Sequence, residues 1–501
     1  MAISLARFDT FGDVAAEDDA VLDYFLSTNA VERVERGDAF LVLGRKGTGK
    51  TAIIRYLTEG KHSPLTKALN LRGYPWNVHA AKIDHGASEI EAYVSSWRYL
   101  IAVELATLVV ADAKGAASKC AKPLSQFLND NYGGTNPELS DILRPNTLRL
   151  EKFSLEPAVM GNKLGSVTMN RPANDHQFGL ELNALSNSIF DAIEATADDA
   201  RLGALSLHFD ELDQGLSDLT NERSKMLIGL ILAARDIKRT NLRAYGSVHP
   251  VVYLRTDLWD DLQFSDKNKI SETLTFHLEW TPDSLLKLIE TRLGAKLANN
   301  AAWEDITDGA LMRGSQSKLN HILARTFLRP RDVIRFLNTA LAEAKKRKDD
   351  PLVFTNKDIV ASREDYSSYL KKELDDEIRP HWAQWDEALQ ACSAISTITF
   401  DRDDFEKEYG RRKSAKNPVA FDEALEFLHR FSVIGYERRS GYGGSSWAFQ
   451  YIDPQAGWDA AASRFKVHLG LKEYAKLREA RESPAFTALT LEDLLEEENE
   501  Q

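Results

Sequence analysis

Cysteine is nearly absent from this chain. Cys120 and Cys392 are the only two in 501 residues, too few for a disulfide framework or a zinc cluster, so a reducing cytosol is the expected compartment. Positive charge is in deficit as well: 63 Lys and Arg stand against 76 Asp and Glu, for a net charge of −13. Without a global basic field the chain cannot gather nucleic acid unaided, and any such contact needs a local patch. No run of about 18 apolar residues occurs, and the N-terminus MAISLARFDTFGDVAAEDD has no long apolar segment, so no membrane span is expected. No Ser-His-Asp order, metal-ligand cluster or nuclease motif stands out. A hydrophobic content of 43%, charged content of 28% and mean hydropathy of −0.36 describe an ordinary globular chain, long enough for two to four domains.

What is present begins at Phe40-Leu41-Val42-Leu43, an apolar β-run followed by Gly44-Arg45-Lys46-Gly47-Thr48-Gly49-Lys50-Thr51 and an apolar helical start from Ala52. This is the G-x-x-x-x-G-K-[ST] pattern in its strand, loop and helix context. Gly44, Gly47 and Gly49 let successive N–H groups turn into one anionic hole, and the helix adds the positive end of its dipole. The expectation is ATP, with Gly44 through Ala52 lining the phosphates, Lys50 on the β- and γ-phosphates and the Thr51 hydroxyl on Mg²⁺.

A second apolar run, Ala204-Leu205-Ser206-Leu207-His208-Phe209, ends in Asp210-Glu211. A buried strand that delivers an acid to its C-terminal end beside the phosphate loop gives Asp210 the role of Mg²⁺ holder and Glu211 that of polarising the attacking water. The alternative is an ordinary strand with an acidic turn after it. A further strand, about 244–254, ends in Arg255-Thr256-Asp257, where Arg255 or Thr256 can contact the γ-phosphate or orient water. A solvated strand end is the competing reading.

Periodicity predicts helices at Ala16–Ser27, from about Ser88 to Ala113, at Leu182–Thr196 and at about Leu219–Ile237. It predicts a loop from Gly60 to Pro75, a strand at Trp76–Asp84 and a hairpin at Glu151–Met169. Helices are expected over 357–378 and from Trp382 to about Ser396.

The order of these parts resembles the AAA+/STAND class of P-loop ATPases. Leu254 through Leu262, Lys267–Lys269 and Leu274 through Leu293 look most like origin-recognition-type initiators. FGDVAAEDD, GRKGTGKTA and FDELD are similar to bacterial P-loop ATPases whose wider class occurs in mobile and anti-phage defence loci. The resemblance covers roughly residues 8–345 with a gap over an insertion. It implies an α/β fold with a P-loop NTPase parallel sheet, a helical lid and a C-terminal winged-helix domain. The implied order is a leader (1–39), an ATPase core (40–280, insertion about 115–200), a lid (281–346), a winged-helix region (347–456) and a C-terminal helix with acidic tail (457–501). It implies further that Phe11 to Phe25 is either a base-binding wall or a plain packing helix, and that Arg331 or Arg335, behind Pro330, faces the phosphates unless it is a solvated arginine at a helix start. The initiators carry an arginine finger before the last strand, where Lys267 and Lys269 stand here, which weakens the case for an oligomeric motor. The implied activity is that of an ATP-dependent switch or motor, with a protein effector or sensor partner, a homo-oligomer, and a role in anti-phage defence or DNA maintenance.

The C-terminal third reads as short helices, a basic loop Arg411–Lys416, a helix Pro418–Phe431 and a strand pair at Val433–Arg438 and Ser446–Ile452, then a helix at Trp458–Arg481. As a winged helix it offers two roles. Duplex DNA would meet Arg411, Arg412, Lys413, Lys416, Arg438, Arg439 and Tyr442, yet Asp422, Glu423 and Glu426 lie on the would-be recognition helix. Internal packing that reports nucleotide state is the favoured role, and a DNA-binding regulator whose ATP site tunes affinity is the rival function. Thr490–Glu498 is a docking peptide or a frayed acidic tail.

Overall fold

A computed structural model describes residues 4–60, 65–72, 89–143, 175–212, 221–240, 245–297, 300–348, 351–439, 445–454 and 456–479. The chain forms two compact units, one of Ser27–Arg45 with Lys50–Leu278, the other of Met1–Leu26, Lys46–Gly49 and Glu279–Gln501.

The first unit is a parallel sheet with helices. Its strands are β1 (Leu41–Leu43), β2 (Thr66–Asn70), β3 (Leu205–Asp210), β4 (Val248–Leu254) and β5 (Thr275–His277). Their order is β2-β3-β4-β1-β5, every pair parallel. The inner strands are near-continuous apolar runs, as strands covered on both faces must be. Helices α1 (Asn29–Glu35), α2 (Lys50–Glu59), α3 (Glu89–Ala111), α4 (Asp175–Ala200) and α5 (Asn221–Thr240) complete the layers. Trp97 of α3 is fully buried, edge-on to Phe209 of β3, and its indole N–H donates to the Met226 carbonyl at 3.0 Å.

The stretch Ile90–Ala111 is long and apolar enough to cross a membrane by length and composition. Its most apolar window is 78% buried, because α3 packs on both α4 and α5, and its apolarity is thus accounted for by core packing.

The second unit has helices α6 (Pro282–Lys296), α7 (Lys318–Leu323), α8 (Pro330–Arg347), α9 (Arg363–Ile378), α10 (Trp385–Ile395), α11 (Arg402–Arg412) and α12 (Phe421–Arg430). Its antiparallel sheet joins β6 (Thr399–Asp401), β7 (Ile434–Arg439), β8 (Ser445–Ala448) and β9 (Arg464–Val467) in the order β6-β9-β7-β8.

Three expectations need correction. Residues 16–27 are not one helix: the Asp19 carboxylate takes the Asp13 N–H at 2.9 Å and the Tyr24 hydroxyl, holding the leader in turns around a short 3₁₀ segment at Val21–Tyr24. The loop expected at 60–75 contains β2, an edge strand whose TKALN sequence has no apolar run to betray it. The helix expected at 458–481 is replaced by β9 and a 3₁₀ turn, since in RFKV only Phe465 and Val467 are buried, a period of two. The expected strand at 76–84 and hairpin at 151–169 lie outside the described residues, as do Tyr442 and the tail.

Close helix packing in the first unit gives a test. A Cβ on Gly229 of α5 would lie 2.6 Å from the Tyr93 Cβ of α3. Gly229→Val should therefore cost on the order of 2 kcal/mol despite the better helix propensity of valine, read as a lower urea midpoint. An unchanged or raised midpoint would contradict this packing.

Candidate functional site

In the first unit Gly44 and Arg45 follow β1, and α2 begins at Lys50. Lys50, the first residue of that helix, folds back so that Nζ donates to the carbonyls of Gly44 and Arg45 at 2.7 and 3.1 Å. Thr51 Oγ1 donates to Asp210 Oδ2 at 2.8 Å, across 159 residues of sequence. Asp210 is the last residue of β3 and is buried. Behind it the buried Tyr253 hydroxyl and His208 Nδ1 sit 3.0 Å apart. Burial first and the Asp210 charge second hold the Tyr253 phenol well above its usual range, while burial pushes His208 down to about 3. The carboxylate therefore faces a neutral, poorly hydrated backing. Glu211, next in sequence, has φ +56, a left-handed conformation that costs a non-glycine residue energy and is typical of functional strand ends.

Arg255 follows β4 and is held bidentately by Asp257, Nη2 to Oδ2 at 2.6 Å and Nε to Oδ1 at 3.0 Å. Lys267 and Lys269 are engaged locally. Lys267 donates to the Asp260 and Leu262 carbonyls at 3.1 and 2.8 Å, and Lys269 pairs with Asp266 at 2.7 Å.

Gly47 and Gly49 have φ +84 and +99, and a Cβ on Gly49 would meet nothing within 4 Å, leaving open space beside the loop. Such a cradle fits an oxyanion. Thr51 and Asp210 supply two hard oxygen donors, a set suited to Mg²⁺ that keeps its water and phosphate ligands. Among the described residues no group of three or more His, Cys, Asp or Glu could hold a metal ion.

In the second unit, which includes loop residues Lys46–Gly49, α8 and α9 carry an ionic network. Pro330 opens α8 at its first turn. The fully buried Arg329 donates from Nε and Nη2 to Asp332 at 2.8 and 3.0 Å, and from Nη1 to Glu377 at 2.7 Å and the Lys46 carbonyl at 2.9 Å. Arg331 pairs with Glu373 at 3.2 Å and lies against Gly47, its Cβ 2.9 Å from where a Gly47 Cβ would stand. Lys46 pairs with Asp376 at 3.0 Å and Glu373 at 3.4 Å, and the Trp280 indole donates to the Thr48 carbonyl at 2.9 Å. Arg335 lies over the Tyr369 ring. Phe11 is fully buried against Phe8 and Phe354, which makes it a core residue and not part of a base-binding wall.

The geometry thus gathers Lys50, Thr51 and Asp210 with the Gly44 and Arg45 carbonyls, and separately gathers Lys46, Gly47 and Thr48 with Arg329 and Arg331. Ala52 sits half-buried in the first turn of α2. Sequence reasoning missed Trp280, Glu373, Asp376 and Glu377. The last three form a visible acidic run on α9, but nothing local marks which lysine or arginine they meet.

Arg329 gives a test of this network. Arg329→Met leaves the carboxylates of Asp332 and Glu377 buried without their partner and should cost about 3–5 kcal/mol, with Arg329→Lys falling in between. A loss below about 1 kcal/mol in urea unfolding would contradict the network.

Comparison with known proteins adds two likenesses. Residues 283–375 match the family described as the FunZ-associated C-terminal helical domain. A stretch of 377 residues, 71% of this chain, is 22% identical to the "Putative transposon gamma-delta 80.3 kDa protein" of Escherichia coli (strain K12), and the match spans half of that protein's length.

Proposed function

We infer that this chain is an ATP-binding and ATP-hydrolysing switch of the AAA+/STAND type. The observation that carries the reading is the 2.8 Å contact of Thr51 with Asp210, the two residues the sequence assigns to Mg²⁺. The strand order supports it, since β4 lies between β1 and β3, as the AAA+ arrangement requires. The four-stranded sheet with α10 to α12 supports a winged-helix-like module in the C-terminal third.

In this reading Gly44 through Ala52 hold the phosphates of ATP, and Lys50 exchanges its two carbonyl partners for phosphate oxygens. Thr51 and Asp210 hold Mg²⁺, which supplies positive charge against the phosphates when bound. Glu211 orients a water and accepts its proton. Arg255, clamped by Asp257, is an orienting group near the end of β4. Arg331, lying on Gly47, is the lid arginine that senses the loop's occupancy. With Lys267 and Lys269 engaged locally in place of a finger arginine, turnover is slow, and nucleotide state is coupled to a protein partner or to self-assembly.

Likeness to a protein named for a transposon supports a setting in mobile DNA, with anti-phage defence or DNA maintenance as the process served. A regulator that binds duplex DNA has less support. Arg411 and Arg412 pair with Glu408, Arg438 pairs with Asp453, and Arg402 pairs with Asp422, so much of the basic surface is already neutralised.

Lys50→Ala should abolish ATP turnover, as should chelation of Mg²⁺. Glu211→Gln should keep nucleotide binding but slow hydrolysis about 10²-fold or more. Unchanged hydrolysis in Lys50→Ala would sink the assignment. Mass photometry with ATP and with duplex DNA separates a monomeric switch, an assembling one and a DNA-loaded one.

A further inference from the structure

Away from the phosphate loop, the second unit buries a cationic cluster whose N–H donors are not all met among the described residues. His321 on α7 and Arg325 just beyond it are 3% and 5% exposed. Arg363, the first residue of α9, donates from Nη2 to His321 Nε2 at 2.6 Å, and Arg325 donates from Nη1 to the His321 carbonyl at 2.9 Å.

Because His321 Nε2 accepts, the ring's proton is on Nδ1. Burial, followed by Arg325, Arg363 and Lys472, pushes this histidine down to about 3, so the ring is neutral. His321 Nδ1, Arg325 Nε and Arg363 Nε are all buried and have no acceptor among the described residues. Three N–H donors on three adjoining side chains therefore lack the same thing. Native interiors leave such groups unpaired only rarely, and each calls for an explanation, an unseen ion included.

The charges agree. Arg325, Arg363 and Lys472 face Glu473 and Glu479. Glu473 stands 3.9 Å from Arg363, and Glu479 is taken by Lys472. Among the described residues, the cations here, with Arg313 also near Glu479, outnumber these two carboxylates. Burial lowers Arg325 to about 10, with Arg363 the next cause, as expected of a guanidinium short of compensation.

We propose that His321, Arg325 and Arg363 form a binding site for a small tetrahedral oxyanion, a phosphate or a phosphomonoester. A planar guanidinium fork and a neutral ring donor suit phosphate oxygens, and the depth of Arg325 favours a small anion over a nucleic-acid backbone. All three residues lie in the segment that matches the FunZ-associated helical domain. The site is independent of the ATP reading.

The test uses the full chain carrying Lys50→Ala, so that the phosphate loop is disabled, titrated calorimetrically with inorganic phosphate and, separately, with glycerol 2-phosphate. Saturable binding is expected, with whichever ligand binds tighter identifying the source. Adding Arg363→Gln should weaken it about tenfold or more, and Arg325→Gln should do the same where it folds. Arg363 is partly exposed, so its variant tests the site even if Arg325→Gln does not fold. An equal response to chloride at matched ionic strength, no binding to the Lys50→Ala chain, or unchanged affinity after Arg363→Gln overturns the proposal.

Discussion

The contact of Thr51 with Asp210 depends on a register that the whole first unit maintains. Leu41 of β1 and Phe209 of β3 are both level with Val252 of β4. Asp210 is therefore level with Val42, one step short of the edge where β1 gives way to the loop and α2. A slip of one residue in either pairing would turn the carboxylate to the other face of the sheet. The continuous burial of these strands prevents that slip, because a shift would alter the packing on both faces. The apolar runs that make the core thus also aim the polar pair.

This explains which parts were legible in sequence. β1, β3 and β4 are buried runs bounded by abrupt polar ends, and α3 and α5 are long and periodic, so their positions follow from local composition. Among the described residues β2 sits at the sheet edge, pairs with β3 alone and exposes part of its length, so it has no composition to advertise it. β9 has only four residues, and its period of two is too short to stand out from a helix-like context. The leader's conformation depends on Asp19 meeting Arg292 and Tyr24, the first of these a pairing of residues far apart in sequence. Asp210, Thr51 and Lys50 could be picked out because each stands at an abrupt polar end of an apolar run, and the 2.8 Å contact of Thr51 with Asp210 brings two of them together. Glu373, Asp376 and Glu377 could not, because an acidic helix face reads the same whether solvated or paired.

The acidic balance of the chain hides a similar distinction. A net charge of −13 says nothing about where cations are under-compensated. In the C-terminal third, Arg402, Arg411, Arg412 and Arg438 each have a carboxylate within reach, which reduces their pull on a polyanion. Arg325 and Arg363, fewer and more deeply placed, each keep a buried Nε with no acceptor among the described residues. Burial raises the worth of each unmet donor, so a small basic cluster in the interior says more about a ligand than a larger one at the surface.

The arginines around Pro330 show the same logic at the start of one helix. Arg329 is bound by two buried carboxylates and a carbonyl, and burial with that degree of pairing makes it part of the scaffold. Arg335 rests over a tyrosine ring. Arg331 alone of the three lies against Gly47 of the loop after β1, and its partner Glu373 is shared with Lys46 of that loop. A change in charge at Lys46–Gly49 would alter the field at Glu373 and so the hold on Arg331. The residue best placed to report on the loop is thus the one whose ion pair the loop itself already shares.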